Sequence, residues 1–543
     1  MPEPRLFYLA SRGLFANFIA MPDPRNSLNI DRRKFLRNSS AAVAASTFCG
    51  VIERPASAAL SPAELERDPL RPQFHLLPAA NWMNDPDGPI YWKNNYHMFY
   101  QYNPNGAYWG DMHWAHAIST DMVHWKHMPV AFSPTPGGPD GDGCFTGTSV
   151  VQNGEVVVLY TGVRVVPPDQ ATSKGGAQNF LESQCLATST DPELKIWTKL
   201  PAPVIASPPP GMQVNGFRDP SPWRQGDWWY MVLGSGAANQ GGSVLLYKSK
   251  DLRHWEYVHV LALRNKSREH QFDPYNPWEV WECPELFALG GKHVLIVSTL
   301  GKAYWQSGIL DADTMQFHPE QAGMLDYGSF YAPKTQLDKS GNRILWGWIQ
   351  EARPLQEYKA AGWAGMMSLP RMLTLGSDGK LKSSVAVEVN SLRGREQTLN
   401  VTGDEDQTER QIEAMRIEKC CGEILCKVER GAEPFTLMLN GSAASSPPWL
   451  VVEYDPHHAK QVWIDARPLP ITGGEREHLE LHLYIDRSVV EVFVNNEVAC
   501  TKRFYYASSN PQDLCIKWIG KTTSIASFSV WQLSSISTDR PPT

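Results

Sequence analysis

The sequence predicts an all-β chain: a five-bladed β-propeller followed by a C-terminal β-sandwich. Three observations predict it. A unit of about four strands recurs five times between Asp85 and about Gly376. Beyond that point the repeat stops, and from Asn400 the chain continues in short alternating runs. The aromatic load of 20 Trp, 19 Tyr and 19 Phe suits all-β structure and surfaces that stack on sugar rings.

The chain has 543 residues, more than one hydrophobic core sustains, so two large units are expected. With 50 basic against 57 acidic residues the net charge is −7, and no long basic run occurs in the body of the chain, which argues against a nucleic-acid partner. No apolar run reaches the ~20 residues of a membrane-spanning helix. The nine Cys lack the paired spacing of a zinc site. Nothing in the sequence fixes an oligomeric state.

Residues 1–58 read as an export signal. Arg32 and Arg33 are followed by Phe35 and Leu36, then a weakly apolar Ala-rich run that ends in Ala56-Ser57-Ala58. Charge, apolar run and small-residue cleavage site come in the order of a twin-arginine signal, which places the mature protein in the periplasm or outside the cell.

The propeller is expected over 72–376. The segments DPDGPIYWKNNYHMFYQY, FTGTSVVQNGEVVVLYTG, RDPSPWRQGDWWYMVLGS, ECPELFALGGKHVLIVST and YAPKTQLDKSGNRILWGW each run a short strand into a turn and return as a second strand. A second element interleaves with them: STDMVHW, STDPELKIW and SKDLRHW, with a degenerate DADTMQF. Together they make the four strands of a propeller blade. The openings at Asp85, Thr146, Asp219, Glu282 and Tyr331 lie about sixty residues apart, so residues distant in sequence converge on one axis. Residues 377–399 are expected to be a linker, with the sandwich over 400–540, where LHLYIDRSVVEVFVNNEVAC carries its own hairpin turn at Asn495-Asn496.

On this reading Asp85, Asp219 and Glu282 occupy equivalent places in three blades. Two carboxyl groups in unlike settings are the minimum apparatus for cleaving a glycosidic bond. Asn84 stands beside Asp85 to aim it. Glu282 lies between Trp281 and Cys283, an apolar setting that favours a proton donor. Arg218 beside Asp219 is expected to keep that acid charged and suited to gripping hydroxyls.

The motifs NWMNDPDG, YQYNPNGAYWG, CFTGT, FRDP, WECPELF and DYGSFYAP, in this order, resemble glycoside hydrolase family 32, as do GWAGMMSLPRML and IDRSVVEVFVNN. The resemblance covers residues 72 to 535. It implies a retaining β-fructofuranosidase that acts on sucrose or fructans such as inulin and levan, without metal or cofactor. Asp85 would be the nucleophile, Glu282 the general acid and base, and Asp219 the transition-state stabiliser. Trp82, Asn84, Gln101, Trp109, Phe145, Thr146, Arg218 and Tyr331 would line the sugar pocket. Two positions depart from the family pattern: Asp87 stands where Asn is usual, and Thr146 where Ser is usual. The same residues would serve a fructosyltransferase, in which a sugar replaces water. A non-catalytic sugar-binding propeller would lack Asp85 or Glu282, and both are present. The stretch Asn265 to Glu279 is long enough for an extra loop at the pocket rim. The pairs His113/His116 and His124/His127 suggest metal, but positions three apart on a strand face opposite sides, so packed or solvated histidines are expected.

Overall fold

The computed structural model describes residues 60–173, 178–237, 240–264, 279–400, 403–429, 433–441, 448–458, 460–471, 478–506 and 512–536. The expected export signal lies outside them. Four-stranded antiparallel sheets form the five blades. Blade I comprises Asn81–Trp92, Asn95–Asn103, His113–Ser119 and Lys126–Phe132; blade II, Cys144–Gln152, Glu155–Val165, Phe180–Ser189 and Thr198–Lys199. Blade III comprises Val214–Gln225, Trp228–Ala237, Gly241–Ser249 and Glu256–Leu263; blade IV, Glu282–Leu289, Lys292–Thr299, Lys302–Leu310 and Phe317–Met324. Blade V comprises Tyr331–Leu337, Arg343–Ile349, Arg371–Leu375 and Leu381–Val385. A parallel pairing of Asn81 and Trp82 with Trp363 and Ala364 stitches the first blade to the chain that leaves the last one.

Local sequence explains the hairpins. The first turns of blades I, II and IV fall on Lys93-Asn94, Asn153-Gly154 and Gly290-Gly291, each with two consecutive positive φ angles, the twist that matches paired strands. The interleaved STD or SKD element becomes a side-chain staple between the third and fourth strands. Asp121, Asp191 and Asp251 accept backbone N–H groups of their own turns. The Trp that closes each element donates back to the carbonyl of Met122, Leu194 or Leu252, residues with positive φ.

Every inner strand breaks its ladder near its start. Register shifts fall between Met83 and Pro86, Cys144 and Gly147, Glu282 and Glu285, and Tyr331 and Lys334, and at Arg218 to Ser221 opposite Val232 and Gly234. The cause is in the sequence: Pro86, Pro220, Pro284 and Pro333 have no N–H to give, so the pairing bulges there. Gly147 takes that place in blade II. Asp219, Cys283 and Ala332, each just before the proline, adopt positive φ.

The bulges correct the alignment of the blades. The residues that precede the break are Asp85, Thr146, Asp219, Cys283 and Ala332. Glu282 belongs to the row before, with Asn84, Phe145, Arg218 and Tyr331. Asp85 and Asp219 are equivalent to each other, whereas Glu282 sits one position upstream, because the repeat is anchored by the proline and not by the acid.

The expected boundary also shifts. Gly376 and Gly379 close a hairpin turn, and Leu381–Val385 returns as the outer strand of blade V. Of the expected linker 377–399, only the 3-10 turn Val387–Leu392 connects the two parts, and Arg393–Thr398 already pairs with Ile525–Leu533 in the sandwich. The turn residues Ser377-Asp378-Gly379 mark a hairpin there, not the end of the repeat. Two six-stranded sheets make the sandwich and enclose an apolar core that includes Ile424, Leu437, Val452, Leu481, Leu483, Val492 and Val530. Among the described residues no helix is long and apolar enough to cross a membrane.

A buried charge network joins sandwich to propeller. His75, on the segment that enters blade I, contacts Asp486 with one ring nitrogen at 2.9 Å and Glu491 with the other at 3.0 Å, and Asp486 also accepts the backbone N–H groups of Gln73 and Phe74. Arg371 of blade V donates to Glu491 at 3.0 Å and 2.5 Å and pairs with Asp326 at 2.9 Å. All these side chains are buried, so each charge depends on its partners. Glu491→Gln is expected to lower stability by about 3–5 kcal/mol, measured by denaturant unfolding, because it leaves Arg371 short of its main counter-charge. Burial pulls the His75 pKa down, but hydrogen bonds to Asp486 and Glu491 outweigh it and hold it at about 9 against an ordinary 6.5. The stability this adds is fully present below 6.5 and is lost as the pH climbs through about 9. In thermal melts across that window the parent chain is expected to lose stability that His75→Gln does not lose.

Candidate active site

The two rows set by the bulges bring the predicted acids together. In the row that precedes the break, Asp85 accepts from Asn84 Nδ2 at 3.1 Å through one oxygen and from Thr146 Oγ1 at 3.0 Å through the other. The Cys283 thiol lies 3.6 Å from Asp85 Oδ2 and 3.6 Å from Asp219 Oδ2, so one sulfur spans both carboxylates. Asp219 also accepts the Cys283 backbone N–H at 2.8 Å, and its own N–H donates to Thr161 Oγ1 at 2.8 Å.

In the neighbouring row, Arg218 donates to Glu282 Oε1 at 3.0 Å, and the Tyr331 hydroxyl binds Glu282 Oε2. The other arm of Arg218 goes to Glu182 Oε1 at 2.6 Å. Arg218 and Glu282 keep side-chain exposures of 11% and 13%, whereas Asp219 is 3% exposed, so Glu282 is the acid nearer solvent.

These contacts differ from the settings read from adjacent residues. Arg218 makes its hydrogen bonds to Glu282 and Glu182, not to its chain neighbour Asp219. Burial raises the pKa of Asp219 to about 7; the Arg218 charge lowers it and the Glu282 charge raises it. Trp281 does not wrap Glu282: its indole N–H donates to Glu279 at 2.9 Å, and its ring packs in the core shared by blades III and IV.

Trp82 donates its indole N–H to Asn84 Oδ1 at 2.7 Å, a link that orients the amide that aims Asp85. Its ring meets Trp348 and Tyr358, both at 5.9 Å between centroids. Trp109 and Phe145 meet edge to face at 6.0 Å and stay half-buried. Gln101 is buried, with Nε2 donated to Asp87 and to the Cys144 carbonyl.

Glu182, Cys283 and Lys334 were not singled out from the sequence. Glu182 lies in no motif, and only the demand of a buried Arg218 for a second anion points to it. The rim loop expected from Asn265 lies, as far as residue 278, outside the described residues. His97 and His116 pack together in the core, 3.0 Å apart, while His113 and His124 bond within their own turns. Among the described residues no His, Cys, Asp and Glu cluster has the form of a metal site.

The model of the glycosyl hydrolases family 32 N-terminal domain matches residues 75–384, and that of the family's C-terminal domain matches residues 388–532. A sucrose-6-phosphate hydrolase of Escherichia coli is 34% identical over 485 residues, which covers 85% of this chain and 94% of the relative. A fructan 1-exohydrolase of Hordeum vulgare is 36% identical over 374 residues, 62% of this chain and 59% of the relative. Among solved structures, a family 32 β-fructofuranosidase of Bombyx mori, in a variant complexed with sucrose, superposes with a TM-score of 0.70 at 28% identity and covers 88% of this chain and 96% of its own. The chain belongs to glycosyl hydrolase family 32, as a β-fructofuranosidase-type glycoside hydrolase.

Proposed function

We propose that this enzyme is exported and releases terminal β-D-fructofuranosyl units from sucrose or fructans through a covalent fructosyl-enzyme. The observation that carries the reading is the pair of rows at the axis: Asp85 and Asp219 share one thiol, and Glu282 stands in the adjacent row between Arg218 and Tyr331.

Asp85, aimed by Asn84 and Thr146, attacks the anomeric carbon while Glu282 gives its proton to the departing glycosidic oxygen. Glu282 then takes a proton from water, which attacks the same carbon and frees the fructose. A retaining pathway of this kind places the two carboxyl groups about 5 Å apart. Asp219 binds sugar hydroxyls and stabilises the positive charge that develops on the ring. Trp109 and Phe145 present the half-buried aromatic surface on which a sugar face packs. Export rests on the order of arginine pair, apolar run and Ala56-Ser57-Ala58 in the first 58 residues.

The chain from Ala59 onward is to be incubated with sucrose, inulin and levan in turn, with free fructose, free glucose and longer oligosaccharides separated by chromatography. Fructose release is expected, and with sucrose fructose and glucose appear in equal amounts. A glucose excess accompanied by longer products identifies a transferase, and no turnover by a folded chain sinks the fructoside reading. Asp85→Asn is expected to be inactive while it melts like the parent. Glu282→Gln is expected to lose about 10²–10⁴ in kcat/KM on sucrose, the loss of a general acid.

A further inference from the structure

One step below the catalytic rows, two residues on from each bulge position, the inner strands carry a third ring: Asp87, Thr148, Ser221, Glu285 and Lys334. All five are buried, with Asp87 and Lys334 at 0% exposure. Asp87 is the member that lies directly beneath the nucleophile on the same strand.

Its two oxygens are unequal. Oδ2 accepts from Gln101 Nε2 at 2.7 Å, whereas Oδ1 is buried without a hydrogen-bond partner among the described residues. The nearby cation does not complete the pair, since Lys334 donates to Thr148 Oγ1 at 3.2 Å. The charged groups that act on Asp87 are Asp85 on its own strand, Asp219 of blade III and Lys334 of blade V. Blade IV contributes Glu285 to the same ring, and blade II contributes Thr148 and the Cys144 carbonyl. As an anion Asp87 would be a buried charge with one oxygen unsatisfied and two further carboxyl groups at hand. As an acid it leaves a single polar group unpaired, a far smaller cost. Burial, opposed by the Gln101 hydrogen bond, pushes its pKa well above the ordinary carboxyl range.

The same contact settles an orientation. Gln101 Nε2 also donates to the Cys144 carbonyl at 3.0 Å, so both partners on that side are acceptors and the amide has one arrangement.

We propose that Asp87 is a positioning residue that stays protonated while Asp85 is ionised, and fixes the Gln101 amide without adding a negative charge beside the Asp85 and Asp219 carboxyl groups. This rests on the reading of Asp85 as nucleophile, and it adds a defined protonation state one layer below it.

The test uses the full chain with Asp87→Asn, which mimics the neutral acid, and Asp87→Ala, which removes the acceptor. Below the ordinary carboxyl pKa of about 3.9 the folded and unfolded parent both hold the proton, so the melting temperatures of parent and Asp87→Asn should nearly coincide. As the pH rises the unfolded parent releases that proton and the folded one keeps it, so the parent should lose stability relative to Asp87→Asn. The infrared difference spectrum of parent minus Asp87→Asn near neutral pH should show the carbonyl band of one neutral carboxylic acid. On the fructoside that the parent turns over, the KM of Asp87→Ala should exceed that of Asp87→Asn by about tenfold, the loss of one buried hydrogen bond. A melting gap that is flat with pH, or one in which the parent gains on Asp87→Asn toward neutrality, overturns the proposal, since Asp87 is then an anion in the folded chain. If Asp87→Ala does not fold, the Asp87→Asn melts and the infrared band decide alone. The melts need no turnover, so they stand even if Asp85→Asn proves active. An inactive Asp85→Asn together with a flat melting gap leaves the nucleophile reading in place and removes this one.

Discussion

The missing N–H of four prolines governs the centre of this molecule. Pro86, Pro220, Pro284 and Pro333 each stand directly after a residue of the inner row, Asp85, Asp219, Cys283 or Ala332, and none can donate to the neighbouring strand. The ladder therefore bulges at the same height in blade after blade. A bulge adds a residue on one side of the pairing and re-aims the side chains next to it. Asp85 and Asp219 turn toward one thiol, and Glu282 stays one row up against Arg218 and Tyr331. A regular ladder would keep strict alternation and send neighbouring side chains to opposite faces.

Bringing so many acids to one axis creates an electrostatic demand that the rest of the propeller meets. Glu282 and Glu182 share Arg218. Asp219 takes two backbone-linked hydrogen bonds, one at its carboxylate from Cys283 and one from its own N–H to Thr161. Lys334 supplies the only cation of the ring below. Separate rows also separate environments: Glu282 keeps a path to solvent, whereas Asp85 and Asp219 sit deeper, and unlike environments are how two carboxyl groups acquire unlike tasks.

The sandwich acts on this centre at a distance. Asp486 and Glu491 rise from one of its hairpins and hold His75 at the entry to blade I and Arg371 in blade V. These are the two blades that the parallel pairing of Asn81 and Trp82 with Trp363 and Ala364 must bring together. A seam clamped from outside by buried charges keeps the inner strands of blades I and V in register, and those strands carry Asp85 and Tyr331.

The sequence by itself determined the number of blades, the sandwich that follows them and the identity of the converging acids, because hairpin turns, staple aspartates and strand alternation are local signals. It also placed Trp82, Asn84 and Thr146 near Asp85. It misjudged what depends on contacts across blades. Glu282 is offset by one row because the bulge, not the acid, sets the equivalence. Arg218 serves Glu282 and Glu182 although Asp219 is its neighbour in the chain, since those two acids come from other blades that only the closed ring brings beside it. The hairpin at Gly376 to Gly379 resembles a domain end until Leu381–Val385 is seen to pair with Arg371–Leu375. Which groups are buried together, and therefore which of them can hold a charge, is a property of five blades closed into a ring, and only the tertiary structure decided it.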